Sequence, residues 1–294
     1  MKTSVERTTP YKVISLVVLV IAAFAFTFPL YWIITGAFKN GADINSITPV
    51  WVPSEWVLTN FDKLFTKRTA PLFSLFGVEG PVAPAALRWL LNTVYMAIMA
   101  MGLTCLTASM AGYALAKKRF RGRGVIFALI VCAMALPKQV ILIPLLKEMS
   151  FLGLYDTMWS VIFPTVGWPF GVFLMKQFSE GIPGEILEAA HIDGASELKT
   201  FFTIVLPMVK PGVGALAIFT FVNSWNDYFM QLIMLSSNVN YTISLGIATL
   251  QAETSVDTGM LMAGAALASV PIILVFLAFQ KYFTQGITMG AVKG

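Results

Sequence analysis

Charge is scarce in this chain. Only 12% of its 294 residues are Asp, Glu, Lys or Arg, about half the share of an ordinary soluble domain. That leaves too little polar surface to cover a water-soluble globule of this size. Histidine occurs once, at His191, and cysteine twice, at Cys105 and Cys132, both inside apolar stretches. Such cysteines give no disulfide framework, and a lone imidazole reads as a surface or docking residue, not a metal ligand. No glycine-rich loop ending in Gly-Lys-Ser/Thr occurs anywhere, so the chain has no phosphate-cradling loop of its own. Basic residues interleaved with aromatics, the footprint of a nucleic-acid reader, are also missing.

Apolar residues fill the gap: 57% of the chain is hydrophobic and the mean hydropathy is +0.77. A helix needs about 20 apolar residues to cross the hydrocarbon core. Val13 to Phe38, Trp89 to Ala116, Thr157 to Met175 and Thr258 to Gln280 contain no charged residue, and two more segments carry one each, Lys138 and Asp227. The expectation is an all-α polytopic membrane protein, a single transmembrane domain over 1–294. Its six spans lie near 13–36, 90–116, 124–146, 156–176, 212–235 and 258–281. The first is no cleavable signal peptide: its run is too long, and Pro29 to Trp32 make a poor cleavage site.

Basic residues stay on the cytoplasmic side. Lys117, Lys118, Arg119, Arg121 and Arg123 put five positive charges into seven residues between spans two and three. With that loop inside and an even number of spans, both termini are inside. Lys2, Arg7 and Lys12 agree, and the loop from Ser236 to Asp257 has acids but no basic residue. The outer loop, 37–89, is rich in Trp, Phe and Pro, with Trp51, Trp56, Phe61 and Phe65 among them. Leu58 to Phe65 suits a short amphipathic helix. The loop is either an aromatic lid at the headgroups or a contact surface for an external partner.

The cytoplasmic loop at 177–210 is the most polar stretch after the termini. Pro183 suits the first turn of a helix, and Glu185 and Glu188 favour its N-terminal dipole. Gly194 stops it, and Ser196 can cap a second helix ending near Leu206, before Pro207. Ile186, Leu187, Ala190 and Ala189 form a compact apolar knob flanked by carboxylates, suited to a groove on another protein. A loop lying flat on the membrane is the alternative, but five acids against three bases from Lys176 to Lys210 are poorly attracted to anionic lipid.

Glu188-Ala189-Ala190, Asp193-Gly194 and Ile204-Val205-Leu206-Pro207 together resemble the EAA signature of ABC importer permeases. The resemblance covers nearly the whole chain. Pro137 to Leu146, Asn223 to Asp227 and the tail Gly286 to Gly294 are similar to the maltose-type second permease subunit for carbohydrates. Pro71 to Pro84 looks like an extension. The resemblance implies a type I ABC importer permease in the bacterial inner membrane, with Glu188, Ala189, Ala190, Asp193, Gly194, Leu206 and Pro207 coupling to an ATPase. It also implies a second permease subunit, two ATPase copies and an extracytoplasmic solute-binding protein. ATP and Mg would be used by the ATPase chain, with no cofactor or metal bound here and no catalysis by this chain.

Ionisable groups inside a membrane are functional candidates. Lys138 and Asp227 are read as lying at like depth, about 21 Å along their spans. They form an ion pair, or line a substrate pathway with Asn223, Trp225 and Asn226 offering hydrogen bonds and a stacking face to a sugar, or snorkel to the interface. An ABC permease for a non-sugar solute such as glycerol phosphate or a polyamine is a rival reading. From another class, a secondary transporter would show an internal repeat with broken helices, and an intramembrane enzyme paired catalytic groups; neither is visible in the sequence.

Overall fold

A computed structural model describes residues 10–75, 78–253 and 257–291. Among the described residues, four helical segments are long and apolar enough to cross a bilayer: Tyr11–Ala37, Ala85–Lys117, Met158–Glu180 (interrupted at Gly167 and Trp168) and Thr258–Gln280. Two more spans are bent pairs: Arg123–Ala133 with Lys138–Phe151, at 107°, and Glu197–Met208 with Lys210–Asn226, at 81°. Counting each pair once gives up to six. The basic residues Lys2 and Arg7 and the tail from Val292 lie outside the described residues.

Two compact units make up the chain. One takes in residues up to Arg68 together with Leu250–Leu267. Its first helix, Pro10–Ala37, is apolar all round from Val13 on, and within this chain it leaves Leu19, Phe24 and Phe26 bare, as lipid-facing residues are. Asn60, on the helix Thr59–Lys67, is 3% exposed. Its amide donates to the carbonyls of Ala37 (3.0 Å) and Lys39 (2.8 Å), satisfying groups that a helix end leaves open. The Lys39 ammonium sits 3.8 Å from the Trp32 ring centroid, a cation–π contact.

The other unit takes in Thr69–Thr249 and the residues from Ala268 on. The Ala85–Lys117 helix is its hub, packed on Met158–Val166, Pro169–Glu180 and Lys210–Asn226. Gly112 marks a close approach to another span's backbone: a Cβ there would lie 2.6 Å from the Lys176 amide nitrogen and 2.7 Å from the Met175 carbonyl carbon. Small residues permit such crossings, which carry helix association where no hydrophobic effect operates between spans. The segment expected as an extension is a hairpin of short strands. Thr69–Pro71 pairs antiparallel with Val82–Pro84, and Ser74–Leu75 with Val78–Glu79. Arg88 anchors it, donating to the carbonyls of Leu72 (2.6 Å) and Val239 (3.2 Å).

Three spans of this unit leave the helix part-way. The third does so at Met134–Pro137, because proline lacks an amide hydrogen and forces its predecessor out of the helical region. Pro137 then precedes the helix beginning at Lys138. The fourth breaks at Gly167 and Trp168 before Pro169 for the same reason. In the fifth, Asp227 adopts φ −78°, ψ 67° and caps the next helix, Tyr228–Met234. The sequence reading of unbroken spans is corrected here. Lys138 opens a new helix instead of lying mid-span, so the 21 Å depth drawn from a continuous rise does not apply to it.

Candidate functional site

The loop expected to dock on a partner is a short helix, a glycine turn and a second helix. Pro183 precedes Gly184–Ile192. The amides of Gly194 and Ala195 then close on the carbonyls of His191 and Ala190, each at 3.0 Å. Gly194 has φ +73°, the left-handed conformation that glycine adopts without Cβ strain. The Ser196 hydroxyl accepts from the Lys199 amide, and the chain passes through a π turn, Phe201–Val205, into Leu206–Met208.

The faces of the first helix differ from the expectation. Ala190 is only 6% exposed, and Leu187 packs on the cluster around Met175 and Val205. These two, three residues apart, lie on the inner face. The exposed apolar surface is Ile186, Ala189 and Ile192, with Glu188, His191, Asp193 and Gly194 also open to the surroundings. The knob therefore consists of Ile186, Ala189 and Ile192, while Leu187 and Ala190 fasten it to the bundle. Pro207 is exposed and Leu206 half-buried.

The basic loop after the second span holds this element. The Lys117 ammonium donates to the carbonyls of Glu180 (3.0 Å) and Ile182 (2.6 Å). They close the Pro169–Glu180 helix, whose C-terminal end favours a cation. Lys118 pairs with Glu197 at 2.5 Å. Five basic residues and the docking loop thus share one end of the bundle, as the charge rule requires if both face the cytoplasm. Sequence reasoning used these lysines only as topology markers and missed their role as clamps.

The second group of residues comes together at the helix breaks. Lys138 donates to Asp227 at 3.2 Å, joining spans three and five. Beside them is a cavity of about 420 Å³ whose walls include Lys138, Trp168, Asn223, Ser224, Asp227 and Met230. Trp225 is not among them. It is 2% exposed, stacks on Phe221 (centroids 5.4 Å, 28°) and packs with Ala97. Asn226 also stays off the walls, its amide donating to the Val222 carbonyl at 2.9 Å. At about 100° per residue, Asn223, Ser224 and Asp227 share a face that Trp225 cannot reach. The aromatics on the cavity are instead Trp168 and Phe170, on either side of Pro169, and the Gly-Trp-Pro breaker signal could have drawn Trp168 out.

No group of three or more His, Cys, Asp or Glu suited to a metal occurs among the described residues. Residues 105–289 match the family model described as binding-protein-dependent transport system inner membrane component. The chain is 36% identical over 274 residues to the arabinooligosaccharides transport system permease protein AraQ of Halalkalibacterium halodurans, covering 92% of this chain and 93% of that one. It is 30% identical over 293 residues to the lactose transport system permease protein LacG of Rhizobium radiobacter, covering 100% of both. In fold it is similar to a chain of a bacterial ABC transporter involved in the import of the acidic polysaccharide alginate. That likeness has a TM-score of 0.78 at 20% identity, over 96% of this chain and 99% of that one.

Proposed function

The chain belongs to the family of binding-protein-dependent transport system inner membrane components, and from that premise we propose that it is the permease subunit of an ATP-driven importer for a carbohydrate. Both termini face the cytoplasm, and the whole chain is one transmembrane domain. A second permease subunit completes the pathway, two ATPase subunits hydrolyse ATP with Mg, and an extracytoplasmic protein delivers the sugar. This chain has no nucleotide-binding loop, so its part is mechanical. Closure of the ATPase pair moves the Gly184–Ile192 helix, and packed spans carry that motion to the substrate pathway as alternating access.

The observation that carries this reading is the docking element. An exposed apolar knob, ringed by Glu188 and Asp193, projects from the end of the bundle that holds the basic loop. Leu187 seats it on the hydrophobic cluster of spans two, four and five and Ala190 is buried beside it on the inner face, so a push on the knob is transmitted to those spans. Glu188, Ala189, Asp193, Gly194 and Pro207 lie at the proposed contact, while Ala190 and Leu206 support it from within. Carbohydrate is favoured over glycerol phosphate or a polyamine by the names of the relatives, which include arabinooligosaccharide and lactose permeases. The absence of broken helices, used above against a secondary transporter, does not survive: spans three and five are bent. Family membership now carries that distinction.

The test is co-expression with its neighbouring transport genes, purification, and parallel assays of ATP hydrolysis and uptake. An ATPase subunit should co-purify. Glu188→Lys and Gly194→Val should leave hydrolysis without uptake, or lose the ATPase altogether. Normal uptake by both variants in an intact assembly would refute the docking role.

A further inference from the structure

Three spans break at one place, and the breaks face one cavity. Leu136 and Lys138 from the third span, Gly167 and Trp168 from the fourth, and Asp227 from the fifth all line it. Non-helical backbone at membrane depth is tolerated only where protein buries it or where it borders a watery space. In transporters of other architectures, discontinuous helices mark the substrate site. The cavity volume, about 420 Å³, lies within the ~300–1,000 Å³ range of small-ligand sites.

The wall chemistry narrows the ligand. Among the described residues, Lys138 and Asp227 are the only ionisable ones on it, and they neutralise each other. Each keeps hydrogen-bonding capacity. The ammonium has three donors, of which one goes to Asp227. The second carboxylate oxygen of Asp227 receives only the long 3.4 Å bond from the Met230 amide. Asn223 uses one amide hydrogen on the Phe219 carbonyl (2.8 Å), leaving its own oxygen open. Ser224 is 2% exposed, and its hydroxyl has no partner among the described residues, an unusual state for a buried polar group. Alternating donors and acceptors with no net charge, beside an indole wall, match a polyhydroxylated ring with an apolar face. An acidic sugar would meet Asp227, and a cationic solute Lys138.

We propose that this cavity is a saccharide subsite carried by this subunit itself and selective for uncharged sugars. Trp168 stacks on the sugar face, while Asn223, Lys138 and Asp227 bind its hydroxyls. The proposal rests on the importer reading above and adds the site and the charge class of its substrate.

The experiment uses the whole transporter in proteoliposomes. The probes are radiolabelled arabinotriose and lactose as neutral sugars and the trisaccharide of alginate as the acidic one, with ATP hydrolysis followed in parallel. Wild type should favour a neutral probe. Asn223→Ala, at an exposed position, should raise the KM for it severalfold, and Trp168→Leu should raise it about tenfold, with Trp168→Phe recovering most of the loss. Asp227→Asn, which leaves Lys138 unpaired, should raise the acidic-to-neutral uptake ratio at least about fivefold. If Trp168→Leu does not assemble, Asn223→Ala and Asp227→Asn decide. Unchanged KM in the first with an unchanged ratio in the second overturns the subsite, as does a wild-type preference for the acidic probe. A wild-type assembly that neither binds an ATPase nor takes up any probe sinks the importer reading instead.

Discussion

Asp156 is a residue whose replacement tests the physics of the fold at one point. It precedes the Met158–Glu180 span and has φ 57°, the only positive φ among described non-glycine residues. Its carboxylate accepts from the amides of Ser236 (2.8 Å) and Ser237 (3.0 Å), and its own amide donates to the Met234 carbonyl at 3.0 Å. Asn240 donates to its backbone carbonyl. One residue thus pins the turn before span four to the chain that follows span five. Two charge-assisted bonds are worth about 1.5–3 kcal/mol each when sheltered, and partial solvent access brings the pair to about 2 kcal/mol. Asp156→Ala should cost that much and leave the left-handed backbone strained. Asp156→Gly loses the same bonds but relieves about 1 kcal/mol of strain, and Asp156→Asn keeps the oxygen and loses the charge. The expected order of stability is wild type, then Asn and Gly each about 1 kcal/mol lower, then Ala. Thermal unfolding in detergent should show a drop of about 5 °C for Ala. The pH dependence has a definite sign. Desolvation raises the carboxyl's pKa, but hydrogen bonds from the Ser236 and Ser237 amides and from the Ser237 and Asn240 side chains together outweigh it and hold it below the ordinary value. A depressed folded pKa confers stability that is complete above the unfolded value of about 3.9 and lost as pH falls through the folded one. The gap between wild type and Asp156→Asn should therefore close as the pH drops below about 4. An Ala variant as stable as wild type, or more stable than the Gly variant, would refute this account.

Gly112→Ala drives a Cβ into backbone atoms of Lys176 and Met175, which cannot rotate away. It should cost about 3 kcal/mol, seen as a large loss of thermal stability in the detergent-solubilised chain. Gly194 has open space around its missing Cβ, so Gly194→Ala should cost only the backbone strain, about 1–2 kcal/mol, and Gly194→Asn less, as differential scanning fluorimetry can rank. Lys63 and Asp257 pair at 2.8 Å, but with side chains 54% and 31% exposed. Lys63→Ala should therefore change stability by under about 1 kcal/mol, below 2 °C in the same melt.

What the sequence disclosed followed from patterns that act locally. Run length and charge placement are local, so the spans and the basic loop at Lys117 to Arg123 were legible. The helix–glycine–helix loop was too, because Pro183, Gly194 and Ser196 each dictate backbone conformation on their own. The burial of Ala190 and the orientation of Trp225 were not. Both depend on which side of a helix meets a neighbour: Asn223, Ser224 and Asn226 lie on the side of the fifth span away from Trp225, but the sequence does not say which of the two sides meets a cavity and which meets protein. The breaks were partly written in Pro137 and in Gly167-Trp168-Pro169, yet mean hydropathy runs straight through them and made spans three and four look continuous. The break at Asp227 has no proline to announce it; its carboxylate substitutes for the missing helical turn by capping Tyr228–Met234. The same carboxylate also meets Lys138, whose helix begins only because Pro137 ended the one before. Each charge is at once the product of a broken helix and the partner that makes the break tolerable in a membrane. That mutual dependence spans 89 residues and is visible only once the chain is folded.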